Sequence, residues 1–448
     1  MTIKTFSRDL RRGLGSAIIE LQTNPSREQY RSVVLRCCLE DTAYDTQVEG
    51  TKGHYLYTAI KTFDDPEFFL GKIIEKFGKR LYWRLSEQLR DMLNCFADDG
   101  CKAAAEALDN KYDELKKRLP LMRDYNLQMC EREQLQDLMI RKSDNGFKAF
   151  KQCVNDMVEM TAKRGGCDCF FCDWFFDGAK EKFGSKRVDD YIDETSKKSD
   201  AAKALSDAIK ADKISREQHR LTKTQEKITA DTVIKAAKKA VSEENPRAAI
   251  MRYRQFVRTA SEAEISELAN AALQEEDDGI KGLLLRLFRH LPFPLDITPL
   301  LPYVQSDNEP LKEAAVGILE EIKDKRIRDI AVKQLKEKGI NSLAFGLLKK
   351  NYIKSDDETI FTAIKKSANI PQYVQSDIND IYTRYRSADA FPALLHVYQN
   401  GECSHCRYNT VRAMKHCGVL PDKIIEECLY DSYGETRKTA AKMKNQKI

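Results

Sequence analysis

A hydrophobic stripe that returns about every thirty residues is the feature that most constrains this chain. Ile280, Leu283, Leu284, Leu287, Phe288 and Leu291 fall at i, i+3, i+4, i+7, i+8 and i+11, which lines one face of an amphipathic helix. The same offsets recur 31 residues later at Leu311, Ala314, Ala315, Ile318, Leu319 and Ile322. After 29 more residues, Ile340, Leu343, Ala344, Leu347 and Leu348 occupy five of the six. Between these stripes lie Ile297, Leu300, Leu301 and Val304, then Ile327, Ile330 and Ala331, which predict intervening helices of the same kind. The repeating unit is therefore a helix pair. With more drift the pattern continues through Ile378, Ile381, Tyr382 and Tyr385, then Phe391, Leu394, Leu395 and Tyr398. Prolines 292, 294, 299, 302, 310, 371, 392 and 421 fall at or near the predicted turns and first helical positions, where a missing N–H costs little. About six pairs from residue 260 onward predict an all-α solenoid of stacked antiparallel helix pairs, a superhelix in which each unit touches mainly its neighbours. In such an array, deletion after Leu420 is expected to leave the N-terminal half folded.

A chain of 448 residues exceeds one ordinary core, which fits a repeat array as well as it fits several domains. Hydrophobic residues make up 42% and charged residues 32%, so there is apolar material to bury and charge to solvate the outer helix faces. No stretch of about 18 apolar residues and no signal-like N-terminal segment occurs, so a cytoplasmic protein without a membrane partner is expected.

The segment "DITPLLPYVQSDNEPLKEAAVGILEEI" resembles a HEAT repeat: a first helix, a turn containing Asp307, and a second helix with Lys312 near its start. "CLYDSYGETRKTAAKM" is similar, with Asp431 six residues before Arg437. The resemblance implies a HEAT/armadillo-like superhelix in which such Asp and Arg or Lys positions form a ladder between units. It covers about 190 residues, and its motif is degenerate. "EDTAYDTQVEGTKGHYLYTAIK", residues 40 to 61, is similar to a segment of bacterial HEAT-repeat proteins of unassigned function. That similarity supplies a group and no activity.

The first half carries less regular stripes: Leu56, Ala59, Ile60, Phe63; then Phe69, Ile73, Ile74, Phe77; then Leu81, Leu85, Leu89, Met92, Phe96. The expected organisation is an N-terminal helical HEAT-like region at 1–192, charged connecting helices at 193–245, and C-terminal repeats at 246–448. From 203 to 240 there are ten Lys or Arg against five Asp or Glu, an excess equal to the +5 of the whole chain. Large apolar residues are sparse there, and Gln218 and Gln225 interrupt a heptad of Ile214, Leu221 and Ile228, so a solvated connecting helix is expected. Arg216, Arg220, Lys223 and Lys227 share a helix face that would suit a phosphate backbone or an anionic partner. Interleaved Asp212, Glu217 and Glu226 weaken that field and favour a solvating role.

Thirteen cysteines are scattered without a disulfide framework, and most continue apolar stripes, where a thiol acts as a small hydrophobe. "GGCDCFFCDWFF", residues 165 to 176, is the exception in density. A helix starting near Cys167 would align Cys167, Phe170, Phe171, Trp174, Phe175 and Gly178, with Cys169, Cys172 and Phe176 on a second face, as a buried helix requires. Zinc would need a fourth ligand beyond Cys167, Cys169 and Cys172, with only Asp168 or Asp173 at hand. Cys403 and Cys406 form a C-x2-C pair with His405 between them and His416 beyond, the second place where metal is conceivable.

The loop "YDTQVEGTKGHY" gathers Tyr44, Asp45, Gln47, Glu49, His54 and Tyr55, either a binding or catalytic patch on a rigid scaffold or a turn whose acids cap helix ends. No phosphate-loop, zinc-protease or serine-esterase motif is present, and no cofactor is expected. The expected function is a HEAT-type scaffold that binds a protein partner without catalysis. Nucleic-acid binding of the HEAT-like DNA glycosylase kind would instead need a continuous basic groove, and an enzyme would need the polar groups of residues 44–55 to converge in a pocket.

Overall fold

The computed structural model describes residues 1–122, 125–166, 173–221 and 228–445, and for Thr46, 125–129, Asp173 and 211–221 the backbone alone. Helix accounts for 75% and there is no strand among the described residues. The local chemistry agrees with the periodicity. The helix Glu262–Gln274 opens on a capping box between Ser261 and Glu264. Asn308, Asp324 and Asn341 accept from Leu311 N, Arg326 N and Leu343 N to cap Glu309–Leu319, Lys325–Lys338 and Ser342–Leu348.

The chain divides into two units, one formed by Met1–Lys223 with Glu427–Arg437 and the other by Thr224–Glu426 with Lys438–Ile448. In the second unit, the helices Asp278–Arg286, Glu309–Leu319, Ser342–Leu348, Gln372–Tyr385 and Ser404–His416 touch in succession. Lys325–Lys338, Asp357–Ile364 and Phe391–Asn400 do the same in a second row. The repeated stripes make the contact: Leu283, Leu284, Leu287, Phe288, Leu311, Ala314, Ala315, Ile318, Leu319, Ala344, Leu347 and Leu348 are buried. Each fully buried Leu or Ile of this set contributes about 1.5–3 kcal/mol.

One intervening helix is not α-helical. Ile297 to Val304 is spanned by two 3-10 turns, Thr298–Leu300 and Pro302–Gln305. Pro299 and Pro302 remove two N–H donors within four residues, so the i→i−4 ladder cannot run, although Ile297, Leu300 and Val304 still reach the core.

In the first unit, Arg31–Leu39, Gly53–Ile60 and Trp83–Asp98 touch in succession, and Lys102–Arg118 and Phe147–Arg164 continue the packing. The aromatic string enters here. Residues 167–172, including Cys167, Cys169 and Cys172, lie outside the described residues. The helix that follows, Asp173–Phe183, buries Phe175, Phe176 and Ala179, with Phe175 stacked on Phe150 at 5.3 Å between ring centroids. Trp174 is 78% exposed and Gly178 is exposed, contrary to the expected stripe. Packing of Phe175 on Phe150 sets the rotation of the helix and turns Trp174 outward.

The 193–245 stretch also departs from a solvated connector. Asp200–Leu221 buries Ala202, Leu205 and Ala208, and Ala230–Ala240 buries Val233, Ala237 and Ala240. Small residues let these helices approach their neighbours closely, and a search for large apolar side chains passes over them. The 427–437 segment is the other surprise. Tyr430 packs against the core of the first unit, and Ser432 N donates to Gly13 O at 2.9 Å. Deletion after Leu420 therefore removes part of the first unit, so the N-terminal half is not independent of the late segment as the expectation of a folded N-terminal half assumed.

Candidate functional site

In the loop at 44–55 the polar groups mostly serve the backbone. Glu49 is buried and accepts from Tyr44 N and from Asp45 N, while Asp45 Oδ1 accepts from Gln47 N. Lys52, also buried, donates to Arg11 O and Thr42 O, each at 2.6 Å. Tyr55 donates to Leu14 O. Tyr44 and His54 face outward. Burial and then the charge of Arg437 hold the His54 imidazole below its usual pKa, and its Nδ1 lies 3.7 Å from Cys95 Sγ.

Cys403 and Cys406 are buried, and Cys403 Sγ accepts from Cys406 N at 3.5 Å as a helix cap. The described residues bring three metal-ligating side chains together at a different place, His290, Glu320 and Glu321. Lys223 and Lys227 lie outside the described residues, as do the side chains of Arg216 and Arg220.

The described residues converge instead within the second unit, beside the helix Asp278–Arg286. Asn245, Arg247, Ala248, Met251, Arg254, Arg286, Arg289 and His290 line a depression of about 340 Å³. Arg247 and Arg286 share a single acceptor, Glu313 Oε2, at 2.9 and 3.2 Å. Arg254 Nη2 donates to Arg289 O at 2.9 Å. Neither Arg254 nor Arg289 has a carboxylate partner among the described residues, and the Nε of each is buried without a hydrogen bond. Two of the four guanidinium groups thus share the Glu313 carboxylate, and two buried N–H donors remain unused. An anion with bidentate oxygens is the ligand chemistry that suits guanidinium groups gathered in this way.

At the rim, His290 Nδ1 lies 3.1 Å from Glu320 Oε1 and 3.4 Å from Glu321 Oε1. Glu320 is 8% exposed, and its Oε1 has no hydrogen-bond partner among the described residues. The outer oxygens are held elsewhere. Lys350 Nζ lies 2.6 Å from Glu321 Oε2, and Lys349 Nζ lies 3.6 Å from Glu320 Oε2. The Lys350 bond keeps the Glu321 carboxyl below its usual range. Gly346 leaves room for Glu320, because a Cβ there would lie 3.0 Å from its Oε2. His290 itself sits at φ 58°, in the left-handed region, which costs a non-glycine residue about 1 kcal/mol or more.

The repeat builds this cluster. His290 and Glu321 are 31 residues apart and Glu321 and Lys350 are 29 apart, the same intervals at which the apolar stripe returns. Helices that touch in succession bring positions at this interval side by side, so the polar residues at the period of the apolar stripe mark the cluster. The same register produces a ladder, though not the one the HEAT resemblance implied. Lys312 pairs with Glu309 in its own helix, and Arg437 donates to Asp431 O and Ser432 O. Contacts between successive helix pairs come from Arg328 with Asp356 and from Asn351, which donates to Ile322 O and accepts from Asp324 N.

Next to Lys349 sits Asp377, whose carboxyl burial pushes up to about 6 even though Lys349 Nζ is 2.9 Å away. The folded state keeps this proton between about pH 4 and 6, where an unfolded Asp has lost it, so Asp377 makes stability fall as pH rises through that window. Asp377→Asn is expected to raise stability relative to the parent by an amount that grows from pH 4 to 6 and is constant above. Urea unfolding at pH 4, 5, 6 and 7 measures that difference, and one independent of pH would show that Asp377 titrates normally.

No family model matches the chain, and no curated protein matches it. The described helices include none long and apolar enough to cross a membrane.

Proposed function

We propose that the protein is a HEAT-like solenoid scaffold of the cytoplasm that binds an acidic segment of a protein partner in the arginine-lined depression, without catalysis of its own. The carrying observation is the gathering of Arg247, Arg254, Arg286 and Arg289 around one depression, in which Arg254 and Arg289 have no carboxylate partner among the described residues. The two rows of successively touching helices support the solenoid reading. A protein carboxylate suits the site better than a nucleic-acid backbone. Glu313, Glu320 and Glu321 stand at the same place and would repel a continuous row of phosphates, whereas one or two side-chain carboxylates need only the inner guanidinium groups.

Fluorescence anisotropy with a labelled peptide that carries two adjacent glutamates in an otherwise neutral sequence, and with single-stranded and duplex DNA, tests the reading. The peptide is expected to bind, and Arg254→Ala with Arg289→Ala to weaken it by about ten- to a hundredfold, as loss of charge-assisted hydrogen bonds implies. DNA bound more tightly than the peptide, and weakened by the same pair, would place the protein in the nucleic-acid class. A peptide affinity indifferent to the two substitutions would remove the depression from the function.

A further inference from the structure

We propose that His290 Nδ1, Glu320 Oε1 and Glu321 Oε1 form a three-ligand site for a first-row divalent cation such as zinc. The proposal stands without the acidic-partner reading, since it rests on a different set of atoms. Two ligand atoms each about 2.0–2.2 Å from one ion, at angles between octahedral and tetrahedral, lie about 2.9–3.5 Å apart. The imidazole nitrogen meets the two carboxylate oxygens at 3.1 and 3.4 Å, within that span.

A proton on Nδ1 does not account for the arrangement. It would serve Glu321 Oε1, with which the ring nitrogen has hydrogen-bond geometry, and would leave the buried Glu320 Oε1 without a donor. A cation satisfies both oxygens at once. The lysines complete the picture. Lys350 holds the outer oxygen of Glu321 at 2.6 Å and Lys349 stands 3.6 Å from that of Glu320, while both inner oxygens turn toward the imidazole. Groups that hold the far atoms of ligands are the usual support of a metal centre. The left-handed backbone at His290 brings the ring to this point, a strain that the cation would repay. Imidazole with two carboxylates favours a first-row ion over magnesium or calcium, which take oxygen alone. Three protein ligands leave a coordination position open, and His290 is a lining residue of the depression.

The test uses the full chain, stripped with a chelator and titrated with zinc chloride by calorimetry, then with cobalt(II) followed by visible absorption. One high-affinity ion per chain is expected, with weak visible bands and no intense near-ultraviolet thiolate band. His290→Ala and Glu321→Gln are each expected to lower zinc affinity at least about tenfold. Glu321 is half-exposed, and its amide variant preserves shape, so it serves even if a change at the buried Glu320 disturbs folding. Zinc should also raise the unfolding temperature of the parent and not of Glu321→Gln. Absence of binding at about millimolar zinc, parental affinity in both variants, or an intense thiolate-to-cobalt band that assigns the ion to cysteines would each overturn the proposal.

Discussion

Asp356→Ala is expected to destabilise the Thr224–Glu426 unit by about 3–5 kcal/mol, the cost of leaving one partner of a buried ion pair alone. Asp356 is 1% exposed and binds Arg328 through both oxygens, Nε to Oδ2 at 3.0 Å and Nη2 to Oδ1 at 2.5 Å. It also accepts from Ile353 N, so the substitution opens three hydrogen bonds together. The pair joins Lys325–Lys338 to the start of Asp357–Ile364, and thus one repeat to the next. Arg328→Met with Asp356→Leu should recover much of the loss, because an apolar pair carries no desolvation penalty. The readout separates the units. Trp83 and Trp174, the two tryptophans of the sequence, both belong to the first unit, so tryptophan fluorescence reports that unit while circular dichroism reports both. Asp356→Ala should move the part of the urea transition seen only by circular dichroism. A change under about 1 kcal/mol would mean that solvent reaches the pair in solution.

Gly15→Ala is expected to cost the first unit about 3 kcal/mol, at the upper end for overpacking. A Cβ at Gly15 would lie 1.7 Å from Glu427 O and 2.7 Å from its carbonyl carbon. Both are backbone atoms that no side-chain rotation can remove. The first turn of Gly15–Thr23 therefore has to move away from the 427–437 segment, which also loses register with Ser432 N on Gly13 O. The tryptophan-detected transition should shift to lower urea, and proteolysis should cut first between residues 427 and 437. The truncation after Leu420 should lower the same transition. If both variants kept the parental fluorescence midpoint, the late segment would contribute nothing to the first unit.

Periodicity made the helices legible wherever side chains act through their own neighbours. Stripes such as Leu311, Ala314, Ala315, Ile318 and Leu319 describe a buried face whatever lies opposite, because a helix repeats every 3.6 residues and an apolar face must be covered. Where local rules competed the reading was weaker. Pro299 and Pro302 overruled the stripe at Ile297 to Val304, and the packing of Phe175 turned Trp174 to the solvent. Glu49 and Lys52 look like chemistry and bind backbone, while Arg254, Arg289, His290, Glu320 and Glu321 form no motif along the chain.

The sequence by itself determined that the chain is helical, that its helices come in pairs about thirty residues apart, and which faces they bury. Only the tertiary structure decided which polar residues meet, since a guanidinium or carboxylate 30 residues from its neighbour has no local partner until the repeats stack in register. It also decided that residues 427–437 complete the unit begun by Met1. Helix formation is governed by interactions within four residues, whereas those meetings depend on close approaches that glycines permit, as at Gly15 against the backbone of Glu427 and at Gly346 against the Glu320 carboxylate.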